Sequence, residues 1–152
     1  AEHRQIDQYL KEVLVKKNVR IIGIKEDLSH LIEIGNALKR NEMVAIHGDR
    51  FLAGAGSVTV DFMGRPAPFP TGPLYMASKF GVPVSYVVTV KERKTHYHFY
   101  ATPGKVYPYP SKLTTRKEEM KQMVQEYASV IEKRLKQYPL QWFNYYQFWE
   151  KS

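Results

Sequence analysis

Residues 19–50 read VRIIGIKEDLSHLIEIGNALKRNEMVAIHGDR, and the change of hydrophobic period along them decides the fold class. Val19 to Ile24 is a short apolar run of the kind that forms a strand. Asp27 or Ser29 offers an N-cap for a helix to about Arg40, with Leu28, Leu31, Ile32 and Leu38 expected inward. Met43 to Ile46 then reads as a buried strand running into His47-Gly48-Asp49-Arg50. Upstream, Ile6, Tyr9, Leu10, Val13 and Leu14 fall on one face of an amphipathic helix over residues 2–17. Helix, strand, helix, strand predicts an α/β domain whose sheet is mostly parallel and flanked by helices.

The rhythm changes after Arg50. Residues 51–71 hold Gly54, Gly56, Gly64, Pro66, Pro68 and Pro70 around one expected strand, Ser57 to Phe62, and are too aromatic for a linker. They predict an ordered functional loop region. A short helix is expected from Gly72 to Phe80, then strands at Pro83 to Val90 and His96 to Thr102, turning at Glu92-Arg93-Lys94. Thr115 and Glu118 have the spacing of a capping box for a long helix. Its expected inward face is Met120, Met123, Val124, Tyr127, Ala128, Ile131, Leu135 and Tyr138, with Pro139 as the stop.

Composition bounds the possibilities. The 152 residues are 43% hydrophobic, 13% aromatic and 25% charged, a balance that excludes global disorder and suits a single domain over residues 1–152. The longest near-apolar stretch, Val82 to Val90, falls well short of the about 20 residues that span a bilayer. No cysteine is present, which removes thiolate nucleophiles and cysteine-based metal sites. A net charge of +8 favours polyanionic partners: nucleic acid, an anionic membrane surface, or acidic substrates and carriers. Glu118, Glu119, Glu126 and Glu132 interrupt the lysines of the long helix, which argues against a nucleic-acid stripe.

Two stretches carry candidate chemistry. Asp49 and Arg50 stand at the carboxyl end of an expected strand, where α/β sheets place ligands. Arg50 can grip a phosphate or carboxylate in a fork, or the pair can simply tie a loop to the sheet. Thr71 and Gly72 precede a short helix whose N-terminal N–H groups suit an anion, or Thr71 is a plain N-cap. His96 and His98 share a strand face without a third ligand at useful spacing, so no metal site is expected, and His3 and His30 read as helix-surface residues. Tyr138, Trp142, Phe143, Tyr145, Tyr146, Phe148 and Trp149 crowd the tail, either as core packing or as a membrane-interface cluster.

Four blocks in series resemble the bacterial lipid A biosynthesis (lauroyl and myristoyl) acyltransferases, within the glycerolipid acyltransferase superfamily. They are Val44 to Arg50 (VAIHGDR), Val60 to Ala67 (VDFMGRPA), Pro70 to Pro73 (PTGP) followed by Ala77 to Val84 (ASKFGVPV), and the ending Tyr138 to Phe143 (YPLQWF) with Phe148-Trp149. The resemblance runs from about Val19 to the C-terminus. It implies a glycerolipid acyltransferase-like fold whose N-terminal part is missing from this chain.

It also implies acyl transfer from acyl carrier protein or acyl-CoA to a lipid or glycolipid hydroxyl, at the cytoplasmic face of the inner membrane, with no metal or cofactor beyond the thioester donor. The family's general base is the histidine of a His-x4-Asp/Glu pair. In this chain the fifth residues after His3, His30, His47, His96 and His98 are Gln8, Gly35, Leu52, Ala101 and Pro103. The resemblance therefore implies the C-terminal portion of a longer acyltransferase, with no catalytic residue of its own. Asp49, Arg50, Thr71 and Gly72 are the substrate-binding residues it implies. Thr71 stands where the glycerolipid branch has the glutamate of a "FPEG" block. A non-catalytic lipid- or partner-binding relative and a nucleic-acid-binding module are the rival readings.

Overall fold

The computed structural model describes residues 19–24, 29–51, 56–145 and 147–149. The expected helix over residues 2–17 and the candidate cap Asp27 with Leu28 lie outside them. The chain divides into two compact units, Ala1–Val44 and Ala45–Ser152.

In the first unit, α1 is Ser29–Lys39. Its buried face is His30, Ile34 and Ala37, with Gly35 beside it; of the expected inward residues Leu31 and Leu38 are half-buried, and Ile32 is exposed. Positions 30, 34 and 37 repeat at the four-and-three spacing of one helical face, whereas residue 32 lies about 200° round from residue 30. His30, expected at the surface, is thus buried. The helix ends at Asn41, whose left-handed backbone (φ 63°) lets the Arg40, Asn41 and Glu42 N–H groups return to the last carbonyls. Residues 19–24 form no strand.

In the second unit, residues 45–50 are irregular, and just before them Met43 is 98% exposed, so the expected buried strand at 43–46 is not formed. All strands among the described residues pair antiparallel, in two two-stranded sheets. The fold is mixed α/β, but a parallel ladder is not among its described pairings. The first sheet joins β1 (Ser57–Phe62), as expected, to β2 (Arg65–Pro70), a stretch whose three prolines predict loop. Met63 (φ 54°) and Gly64 (φ 75°) make the two-residue turn, both left-handed as a type I′ hairpin needs.

The register explains how three prolines fit a strand. Phe62↔Arg65 closes the turn as a hydrogen-bonded pair, so the bonded positions on β2 are Arg65, Ala67 and Phe69. Pro66, Pro68 and Pro70 take the intervening positions, where no ladder N–H is needed. The same alternation turns the N–H and C=O of Asp61, opposite Pro66, away from β2. The Gln125 side chain meets both, accepting from Asp61 N at 2.8 Å and donating to Asp61 O at 2.8 Å.

α2 is Gly72–Phe80, as expected, and ends at left-handed Gly81. The second sheet pairs β3 (Val87–Arg93) with β4 (His96–Ala101) and carries a bulge between Lys91 and Arg93. α3 is Arg116–Gln137, which matches the predicted long helix. Its capping box is not made: Thr115 already has near-helical dihedrals (φ −104°, ψ −11°), and its hydroxyl donates to Glu119, a turn onward, instead. Met120, Met123, Val124, Ala128 and Leu135 are buried as the periodicity requires.

The core lies where α3 crosses the β1–β2 hairpin. Phe62 and Phe69 are fully buried, edge to face with 5.3 Å between centroids. A 3₁₀ turn, Pro139–Gln141, follows α3 and redirects the chain. Trp142 and Phe148 then pack on Phe62 at 5.5 Å each, and Trp149 stacks on it at 6.1 Å. Gln141 repeats the role of Gln125, accepting from Lys91 N at 2.7 Å and donating to Lys91 O at 2.9 Å. Leu140, Phe143 and Tyr145, by contrast, stay exposed.

Candidate functional site

The Gly48-Asp49-Arg50 segment bends against the face of Tyr127 on α3. A Cβ placed on Gly48 would lie 2.6 Å from Tyr127 Cζ and 2.7 Å from its hydroxyl oxygen, so glycine is the only residue that lets the backbone come this close. Tyr127 is held in turn by Phe69 of β2 (edge-on, 6.0 Å) and by Tyr86 (tilted, 5.1 Å). Burial first, and the Asp49 charge second, push the Tyr127 hydroxyl far above its ordinary range, so it stays protonated.

Asp49 Oδ2 and Arg50 Nη1 are 3.4 Å apart. Asp49 is largely covered while Arg50 is about half exposed. Thr71 is not the side-chain cap of α2. Its hydroxyl and its backbone N–H both donate to Gly56 O, at 3.0 and 2.9 Å, closing the base of the β1–β2 hairpin. A side chain at Gly72 would enter open space, so the backbone at the start of α2 is accessible. Phe69, two residues before Thr71, meets the same Tyr127 ring on which Gly48 rests.

Sequence reading missed a second polar cluster. A pocket of about 260 Å³ is lined by Val84, Tyr86, Thr102, Pro103, Gly104, Lys105, Tyr107, Glu126 and Val130. Tyr86 and Tyr107 share a 2.7 Å hydrogen bond between hydroxyls, and Lys105 pairs with Glu126 at 2.7 Å. Burial, with the Glu126 carboxylate adding to it, pushes the Tyr107 hydroxyl up to about 12, although the Tyr86 bond works the other way. These residues come from three separated segments and form no motif. The one available signal was the density of tyrosines near the Val84 to Tyr107 stretch.

Glu92 sits 3.6 Å from His96 and 3.2 Å from His98. Among the described residues no group of three such side chains is arranged to hold a metal ion.

A family model described as bacterial lipid A biosynthesis acyltransferase matches residues 1–151. The chain belongs to that family. No curated protein and no solved structure matches it. In this lipid A acyltransferase-family chain the YPLQWF ending is a clamp: Gln141 engages the edge of β3 while Trp142 enters the aromatic core. The PTGP block supplies the hairpin closure at Thr71 and opens α2. No helix among the described residues is long and apolar enough to cross a membrane.

Proposed function

We propose that this chain serves fatty acyl transfer from acyl carrier protein or acyl-CoA to a hydroxyl of a lipid A-type or other glycolipid acceptor, at the cytoplasmic face of the bacterial inner membrane. The observation that carries this reading is the family match along residues 1–151. The net charge of +8 supports it, since both an acidic carrier and an anionic lipid surface suit a basic protein.

In the reaction the acceptor oxygen attacks the thioester carbonyl carbon. The C–S bond breaks, the thiol leaves with the carrier, and the hydroxyl proton passes to a histidine oriented by a carboxylate. No histidine in this sequence stands in a His-x4-Asp/Glu pair. The proposal therefore assigns that pair to a part of the enzyme outside these residues, of which this chain is the C-terminal portion.

The chain's own residues bind and orient. Arg50, anchored by Asp49, grips a phosphate or carboxylate. The Gly72 N–H, at the positive end of α2, faces negative charge, and Thr71 holds that turn in place. The exposed apolar residues Ile21, Ile24, Met43 and Ile46 fit strands of a mostly parallel sheet completed by other parts of the enzyme.

The test is an acyl-transfer assay with acyl carrier protein and CoA thioesters and a lipid A-type disaccharide. It compares this chain with the protein expressed from its gene together with the coding sequence upstream of Ala1. Transfer is expected from the longer protein only, and Arg50→Ala should raise its acceptor KM. Transfer by the isolated chain would refute the division of labour. Inactivity of the longer protein with both donors would leave a lipid- or partner-binding relative.

A further inference from the structure

The β3–β4 hairpin has one covered face and one bare face. Val90 is buried on the inner side, and Tyr100 is tied to α3 there by a 3.0 Å bond to the Tyr138 hydroxyl and by Arg134 stacked 3.7 Å over its ring. The outer side carries the directly opposed pairs Val87↔Ala101, Thr89↔Phe99 and Lys91↔Tyr97. Such partners adjoin within about 5.5 Å, so these side chains form one continuous surface. Phe99 is 66% exposed, Val87 57% and Tyr97 52%. Lys91 Nζ lies 5.7 Å from the Tyr97 ring centroid, and Arg93 and Lys94 follow at the turn. The one acid of the turn, Glu92, is already engaged by His96 and His98.

Gln141 brings further exposed apolar groups to the hairpin's edge. Its two bonds to the Lys91 backbone bring the turn after α3 to the edge of β3, where Leu140 is 92% exposed and Phe143 64%. An apolar patch of this kind on a soluble surface marks an interaction site. Aromatic and aliphatic side chains interleaved with lysine and arginine fit a lipid headgroup boundary, where rings enter the interface and cations meet phosphates.

We propose that the outer face of the β3–β4 hairpin, with Leu140 and Phe143 beside it, docks this protein on an anionic bilayer. Charge complementarity selects that occupant. An isologous dimer through the same face with its two-fold axis along the strands would bring Lys91, Arg93 and Lys94 of two copies together, which like-charge repulsion opposes. The inference rests on the lipid-acceptor reading above and gives the enzyme the orientation in which its acceptor is met.

The test measures co-sedimentation with vesicles of phosphatidylglycerol and phosphatidylethanolamine, against vesicles of phosphatidylcholine alone, in moderate salt. Binding is expected to the anionic vesicles only. Phe99→Asp should lower the partition coefficient about tenfold or more, and Lys91→Glu with Lys94→Glu several-fold per charge. If Phe99→Asp does not fold, Phe99→Trp replaces it, and its emission should shift to the blue on anionic vesicles.

Wild-type protein left in the supernatant, an unshifted Phe99→Trp, or Phe99→Asp binding like wild type would each overturn the proposal. So would a concentration-dependent dimer that Phe99→Asp abolishes, or steep salt-sensitive capture of RNA through the same lysines. Vesicle binding needs no chemistry, so the two readings fail separately. Binding without transfer by the longer protein would sink only the acyl-transfer reading, and transfer to detergent-dispersed acceptor without vesicle binding would sink only this inference.

Discussion

Replacing Gly48 by alanine tests the seat of the Asp49–Arg50 pair directly. The added Cβ would lie 2.6 Å from Tyr127 Cζ and 2.7 Å from Cε1, about 1 Å inside normal carbon–carbon contact. Gly48 is not among the positive-φ glycines, so backbone strain does not enter and the contact alone sets the effect. The ring has little room to retreat, because Phe69 and Tyr86 press on it from two other directions. Overpacking of that kind costs about 1–3 kcal/mol. At roughly 4 °C per kcal/mol for a chain of this size, melting should fall by roughly 4–12 °C.

The decisive assay is a double-mutant cycle read by thermal melts. Tyr127→Ala alone removes a large buried ring and should cost about 3–5 kcal/mol. In its presence Gly48→Ala should become nearly free, giving a coupling close to the whole cost of the single change. Costs that add to within about 0.5 kcal/mol would show that Tyr127 is not what the glycine accommodates.

Met63→Asn should stabilise the β1–β2 hairpin by a few tenths of a kcal/mol or more, since it puts Asn-Gly where both turn residues are left-handed, and Gly64→Val should cost at least about 1–2 kcal/mol; urea midpoints check both. Gln141→Leu should lower stability by about 1–3 kcal/mol and speed amide exchange at Lys91, which would otherwise stay protected. Folded Tyr107 holds its proton up to about 12, against about 10 when unfolded. Its contribution is therefore complete below pH 10 and lost as pH climbs through 12, and Tyr107→Phe should flatten that part of an alkaline stability titration. Glu132 is shifted the other way, chiefly by Lys136 and then by the Met63 N–H it accepts, so Glu132→Gln should remove part of the stability lost on acidification.

Periodicity made much of this fold legible. The long helix, the short helix and the β3–β4 hairpin all follow from local pattern, because each buries one regular face. β2 escaped for a physical reason: Pro66, Pro68 and Pro70 look like strand breakers until the register shows them at the positions that bond nothing. Met43 to Ile46 misled in the opposite sense. An apolar run says that a segment needs cover without saying where the cover comes from, and Met43 is bare in this chain. In α1 the buried histidine departs from its pattern, because a polar side chain among apolar ones predicts an outward position.

The candidate site was half legible. Asp49 and Arg50 announce themselves by residue type, whereas Tyr127 comes from a distant helix where it reads as one more core aromatic. No spacing rule connects it to Gly48; only the folded geometry does.

The two glutamines that meet the backbones of Asp61 and Lys91 have a wider consequence. Each side-chain amide offers one donor and one acceptor, the same complement that a neighbouring strand would present. It therefore ends a sheet at two strands without a third one being built. An edge answered in this way cannot template the addition of a foreign strand at that point. Glutamate at either place would keep the size and lose the donor, setting a carboxylate oxygen against the strand's carbonyl oxygen. The distinction between amide and acid at positions 125 and 141 thus bears on whether this basic, aromatic-rich chain stays dispersed or recruits its own copies edge to edge.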